Sequence, residues 1–92
     1  MAEFLVETYV AREDGASVAR RAESARDAAD RLTREGTPVE FIRSIFVPAD
    51  ETCFYLYEAS SADLVQAAAR SAHLRFERVV ETVAQPRRGE PS

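Results

Sequence analysis

The sequence contains no tryptophan, one cysteine (Cys53), one histidine (His73) and three glycines that stand far apart. Each scarcity excludes something. A lone cysteine cannot close an internal disulfide, and beside a single histidine it does not supply the repeated Cys and His spacing of a structural zinc site. The isolated Gly15, Gly36 and Gly89 make no glycine-rich phosphate loop. No apolar stretch reaches the ~20 residues needed to cross a bilayer, and the opening MAEFLVETYV lacks the basic start and long apolar run of a secretory signal. A cytoplasmic protein with no membrane role is the expectation. A surplus of positive charge is also missing. Twelve basic residues against 16 acidic ones leave a net charge of −4, and the arginines of the long helical segment alternate with Glu23, Asp27 and Asp30. Nucleic acid is therefore not an expected partner.

What is present is a chain of 92 residues, 46% hydrophobic and 30% charged, which suits one small globular domain. A domain of this size buries only about 60% of its unfolded surface, and association with a partner is the usual supplement. Residues 3–10 (EFLVETYV) are aromatic and β-branched with no breaker, as in a strand. From Ala16 to Glu35 the period lengthens. Val18, Ala22, Ala25, Ala29 and Leu32 fall on one helical face, Asp14 or Ser17 can cap the start, and Gly36 suits the left-handed stop. VEFIRSIFV (39–47), the turn-forming PADE and TCFYLYEA (52–59) read as a β-hairpin. Ser60 or Ser61 caps a second helix with a stripe of Leu64, Ala67, Ala68 and Ser71, and FERVVETVA (76–84) is a last strand. The closing residues 86–92 carry Pro, Gly and charge with nothing to bury, so a disordered tail is expected behind a single domain spanning 1–85.

The order βαββαβ predicts an α+β, ferredoxin-like domain: a four-stranded antiparallel sheet with both helices on one face. Side chains alternate along a strand, so each strand has two phases to assign. One assignment puts Phe4, Val6, Ile42, Phe46, Phe54, Leu56 and Val80 under the helices. The helix-free face then carries Leu5, Tyr9, Phe41, Ile45, Val47, Cys53, Val79 and Val83, with Glu7, Arg43, Tyr55, Tyr57 and Glu81 among them. A face so apolar calls for a cover, and pairing with a second copy is the economical one. VEFIRSIFV is apolar in both phases, and a bulge there would shift the alternation. Glu7, Arg43, Tyr55, Tyr57 and Glu81 are the candidate ligand-binding residues. Charges on an apolar face are costly unless paired or used, and carboxylates, phenols and a guanidinium orient a small polar molecule or anion. A structural ion pair between Arg43 and a glutamate is the plain alternative.

His73 follows the second helix, where an imidazole caps carbonyls more readily than it binds metal. Cys53 opens the third strand as a small packing residue with no base to activate it. No catalytic set is recognisable.

The segments FLVE (4–7), SIFVPADETCFYLYEA (44–59) and RVVETV (78–83) resemble a small ferredoxin-like family, of the dimeric α/β barrel type, whose characterised representative is a nickel-binding protein. The resemblance implies a homodimer that binds a divalent metal such as nickel and has no established enzymatic activity. Glu7, Tyr57 and Glu81 match the family pattern. Arg43 and Ala68 stand where the family has histidines, and Tyr55 stands where it often has cysteine. A guanidinium in place of an imidazole repels Ni²⁺ and attracts carboxylate or phosphate. A metal would have to use His73 or Cys53 with Glu7 and Glu81. A small dimeric ligand- or metal-binding protein is thus the leading expectation. A barrel enzyme of monooxygenase or isomerase type and a purely structural homodimer are the alternatives.

Overall fold

The computed structural model describes residues 1–83 and 85. The expected tail and the end of the expected last strand at Ala84 lie outside the described residues. The chain runs β1 (Ala2–Tyr9), α1 (Ser17–Arg34), β2 (Val39–Val47), β3 (Thr52–Ala59), α2 (Ala62–Ser71) and β4 (Arg78–Thr82). The strands form one antiparallel sheet in the order β2-β3-β1-β4. This is the ferredoxin-like arrangement that the element order predicts, with β4 shorter than the run from Phe76.

Both helices end in the same way, on different residues. At the end of α1 the Gly36 N–H donates to the Thr33 carbonyl and the Thr37 N–H to the Leu32 carbonyl, at 3.1 and 2.8 Å. This paired closure needs a left-handed residue, and Gly36 supplies it at φ 97°. At the end of α2 the His73 N–H reaches the Arg70 carbonyl and the Leu74 N–H the Ala69 carbonyl, at 2.9 and 3.0 Å. Here His73 takes the left-handed position at φ 60°. Ser61 Oγ accepts from the Leu64 N–H at 3.4 Å and caps α2, whereas α1 begins without a side-chain cap. The Ser17 hydroxyl instead donates back to the Asp14 carbonyl at 2.8 Å.

The core differs from the expected one in phase. The strand registers align Phe4 with Tyr57, Val6 with Tyr55 and Thr8 with Cys53, and all six side chains are buried beneath the helices. In β3 the set beneath the helices is therefore Cys53, Tyr55, Tyr57 and Ala59; Phe54 and Leu56 belong to the helix-free face, where Leu56 is nonetheless buried between its neighbours. β4 is likewise inverted: Val79 pairs with Val6 on the helix side and Val80 with Leu5 on the other. In β2 the register shifts between Phe41 and Arg43. This bulge lets Phe41 and Phe46 both serve the core. The physical reason lies in the helices. Their inner faces are built of Ala25, Ala28 and Ala29 on α1 and Val65, Ala68 and Ala69 on α2, small side chains that leave room for the largest ones from the sheet. Tyr55 and Tyr57 are completely buried, and Phe41 meets the Tyr57 ring edge-on at 5.4 Å. Within α2 the inner stripe is turned by one residue, with Ala67 exposed and Ala69 buried. Gly15 contributes by its size: a Cβ there would lie 3.1 Å from the Phe46 ring.

Candidate functional site

The residues expected to form one site fall into three environments. Tyr55 and Tyr57 are inside the core, and neither phenol oxygen has a hydrogen-bond partner. Burial disfavours the phenolate and pushes both pKa values up, and for Tyr55 the neighbouring Cys53 adds to it. Glu7 and Arg43 lie on the helix-free face, in neighbouring rows and on strands separated by β3. Glu7 accepts from the Arg78 guanidinium at 3.0 Å. Arg43 forms no ion pair among the described residues. Glu81 aligns with Phe4, so it sits on the helix side at the exposed β4 edge. The five residues thus do not converge. The inverted phase of β3 and β4 separates the tyrosines and Glu81 from Glu7 and Arg43.

The helix-free face can be laid out row by row from the registers. Glu40, Glu58, Glu3 and Thr82 form the first row across β2, β3, β1 and β4. Arg43, Leu56, Leu5 and Val80 form the second, and Ile45, Phe54, Glu7 and Arg78 the third. Three carboxylates directly opposite one another repel, while the next two rows join five apolar side chains into a band, with Glu7 beside Phe54 and arginines at the edges. No helix covers this band.

A cleft lies elsewhere, between the first half of α1 and the connection from α2 to β4, and its volume is about 670 Å³. α1 contributes Arg20, Arg21 and Ser24; the end of β1 contributes Tyr9. The opposite wall is Ala72 to Arg75, and Glu77 also lines the cleft. His73, the residue in the left-handed position, is part of that wall. Arg21 is held at 3.3 Å by Asp14, whereas Arg20 and Arg75 have no ion-pair partner among the described residues. Tyr9 is an exposed phenol whose pKa is raised mainly by the Glu51 carboxylate. Sequence reasoning missed this cleft because Arg20 reads as part of a solvated helix face. The available signal was α2 ending without glycine, on His73.

Cys53 is fully buried opposite Thr8, whose hydroxyl donates to the Cys53 carbonyl at 2.9 Å. Burial pushes its thiol pKa up, which suits packing and not nucleophilic chemistry. His73 is exposed. Among the described residues no group of three or more His, Cys, Asp or Glu side chains could hold a metal ion.

The pattern of the nickel responsive protein SCO4226-like family matches residues 4–82. The chain belongs to that family. The crystal structure of SCO4226 from Streptomyces coelicolor A3(2) superposes with a TM-score of 0.72 at 17% identity, covering 92% of this chain and all of the other. At that identity the likeness establishes the fold. No curated protein matches the chain. Nickel in the family description raises the question of ligands. The described residues do not fit a nickel site: the thiol is sealed in the core, and the imidazole belongs to no group of three or more His, Cys, Asp or Glu side chains. No helix among the described residues is long and apolar enough to cross a membrane.

Proposed function

We propose that the protein is a homodimeric, non-catalytic binding module of its nickel-responsive family, assembled by packing the helix-free sheet face against that of a second copy. The observation that carries this reading is the apolar band of Leu5, Ile45, Phe54, Leu56 and Val80 between an acidic row and edge arginines. Ile45 is 40% exposed in one copy. Strands of eight, nine, eight and five residues set about 4.8 Å apart give a face of roughly 500 Å², so two faces bury on the order of 1,000 Å², where specific interfaces begin. The charges fit the same partner. Glu3, Glu40 and Glu58 repel one another in isolation, and a second copy brings its own Arg43 or Arg78 within reach of them. The unpaired thiol of Cys53 is at home in a reducing cytoplasm.

Sedimentation equilibrium of the untagged chain tests the reading. A dimer is expected, and Phe54→Glu, which puts a charge in the middle of the band, should make it monomeric with the fold retained by circular dichroism. A monomeric parent protein overturns the proposal. Calorimetric titration of the untagged chain with Ni²⁺ should give no stoichiometric binding; a site filled once per chain or per dimer would show that nickel ligands assemble in a way one chain does not display.

A further inference from the structure

The cleft between α1 and the α2–β4 connection lies apart from the apolar band, and its chemistry is different. Two elements approach it with positive charge: Arg20 and Arg21 from α1, and Arg75 from the opposite wall. Glu77 is the one carboxylate lining it, and Asp14 already engages Arg21. Arg20 and Arg75 are exposed and carry no ion-pair partner among the described residues. Guanidinium groups held on separate walls are well placed to clamp an anion, because each offers a planar fork matched to carboxylate or phosphate oxygens. The wall between them is only partly polar. Ala72 and Leu74 are buried apolar residues, and Tyr9 is an exposed ring with a neutral hydroxyl. At about 670 Å³ the space falls within the few hundred to about 1,000 Å³ that small-molecule sites occupy, far more than an inorganic anion needs.

The backbone adds a separate indication. α2 closes with the same hydrogen bonds as α1, but on His73 at φ 60° where α1 uses Gly36. A residue with a Cβ is strained there relative to glycine, and strain kept at a cleft wall is a common mark of a functional side chain. His73 gives the cleft an imidazole donor beside Arg75.

We propose that this cleft binds a small organic anion bearing phosphate or carboxylate groups, clamped between Arg20 and Arg75 with His73 and Ser24 as hydrogen-bond donors. Both kinds of group present the same paired oxygens to the guanidinium forks. Glu77, the carboxylate of the lining, disfavours a second acidic group beside it and accepts from a hydroxyl. The proposal does not rest on the dimer, since every lining residue belongs to one chain.

The test is a two-dimensional ¹H–¹⁵N NMR titration of the full chain with pyrophosphate and, separately, with citrate. Saturable shifts confined to Arg20, Arg21, Ser24 and residues 72–75 are expected for at least one of them; response to pyrophosphate alone assigns phosphate, and to citrate alone carboxylate. Arg20→Gln and Arg75→Gln should each weaken binding about tenfold, the loss of one charge-assisted contact, and Glu77→Gln should tighten it. His73→Gly separates support of the fold from binding: the melting temperature should rise by about 5 °C as the strain is relieved, while affinity falls. No saturable shift with either anion overturns the proposal. Shifts that spread over all the arginines, unchanged in the Arg20 and Arg75 variants, overturn it as well.

Discussion

Both faces of the sheet carry large apolar side chains, and those side chains behave oppositely. Under the helices, Phe4, Val6, Tyr55 and Tyr57 are all at or below 4% exposure, and two phenol oxygens are buried there without partners. On the other side Leu5, Phe54 and Val80 are half-buried, Ile45 is exposed, and every charged residue of the face either pairs, as Glu7 does with Arg78, or reaches water. Charge separates the faces in part, since Glu3, Glu7, Glu40, Glu58, Arg43 and Arg78 all lie on the helix-free side. The other distinction is what packs against each one: alanine-lined helices on one side, and no helix among the described residues on the other.

Breaking the helix side should have the largest effect. Tyr57→Ala removes a completely buried ring that Phe41 packs against and should cost about 3–5 kcal/mol in denaturant unfolding. Phe54→Ala, three positions earlier in the same strand but on the open face, should cost much less when measured at dilutions where the chain is monomeric, on the order of 1 kcal/mol. Equal losses would mean that the open face is as well packed within one copy as the core.

A subtler change sharpens the comparison. Tyr57→Phe deletes an unpartnered buried hydroxyl and keeps the ring, so it should stabilise the protein by about 1 kcal/mol or more. The same variant should reduce the alkaline loss of stability. Both buried tyrosines have folded pKa values raised above the ordinary 10.0, so the folded state holds protons that the unfolded state releases. Their contribution is fully present below pH 10 and declines as pH rises beyond it, and Tyr57→Phe should flatten that slope. A slope unchanged in the variant would show that the phenol is hydrated in solution. The smallest effect is expected at Ile45→Thr on the open β2 edge, within about 0.5 kcal/mol for the monomer.

The ferredoxin-like fold was legible because each element carries its own period and punctuation. α1 repeats apolar residues at helical spacing up to Gly36, and the hairpin turns on PADE. The candidate site was not legible in the same way. TCFYLYEA is apolar or aromatic in both phases, and a strand with two apolar phases does not say which one faces inward. Assigning Tyr55 and Tyr57 to the open face placed them with Glu7 and Arg43; the register buries them instead. The cleft was hidden for another reason. Arg20, His73 and Arg75 come from two segments about 50 residues apart, and only packing makes them neighbours.

From the sequence alone came the identity and order of the elements, the antiparallel hairpin and the lack of a metal-ligand spacing. These follow from local periodicity and from composition, which need no knowledge of what lies nearby. Tertiary structure decided the phase of β3 and β4, the bulge between Phe41 and Arg43, and the meeting of the arginines across the cleft. Those depend on volume: small alanine faces admit tyrosine rings, and the sheet takes the register that fills the space between them.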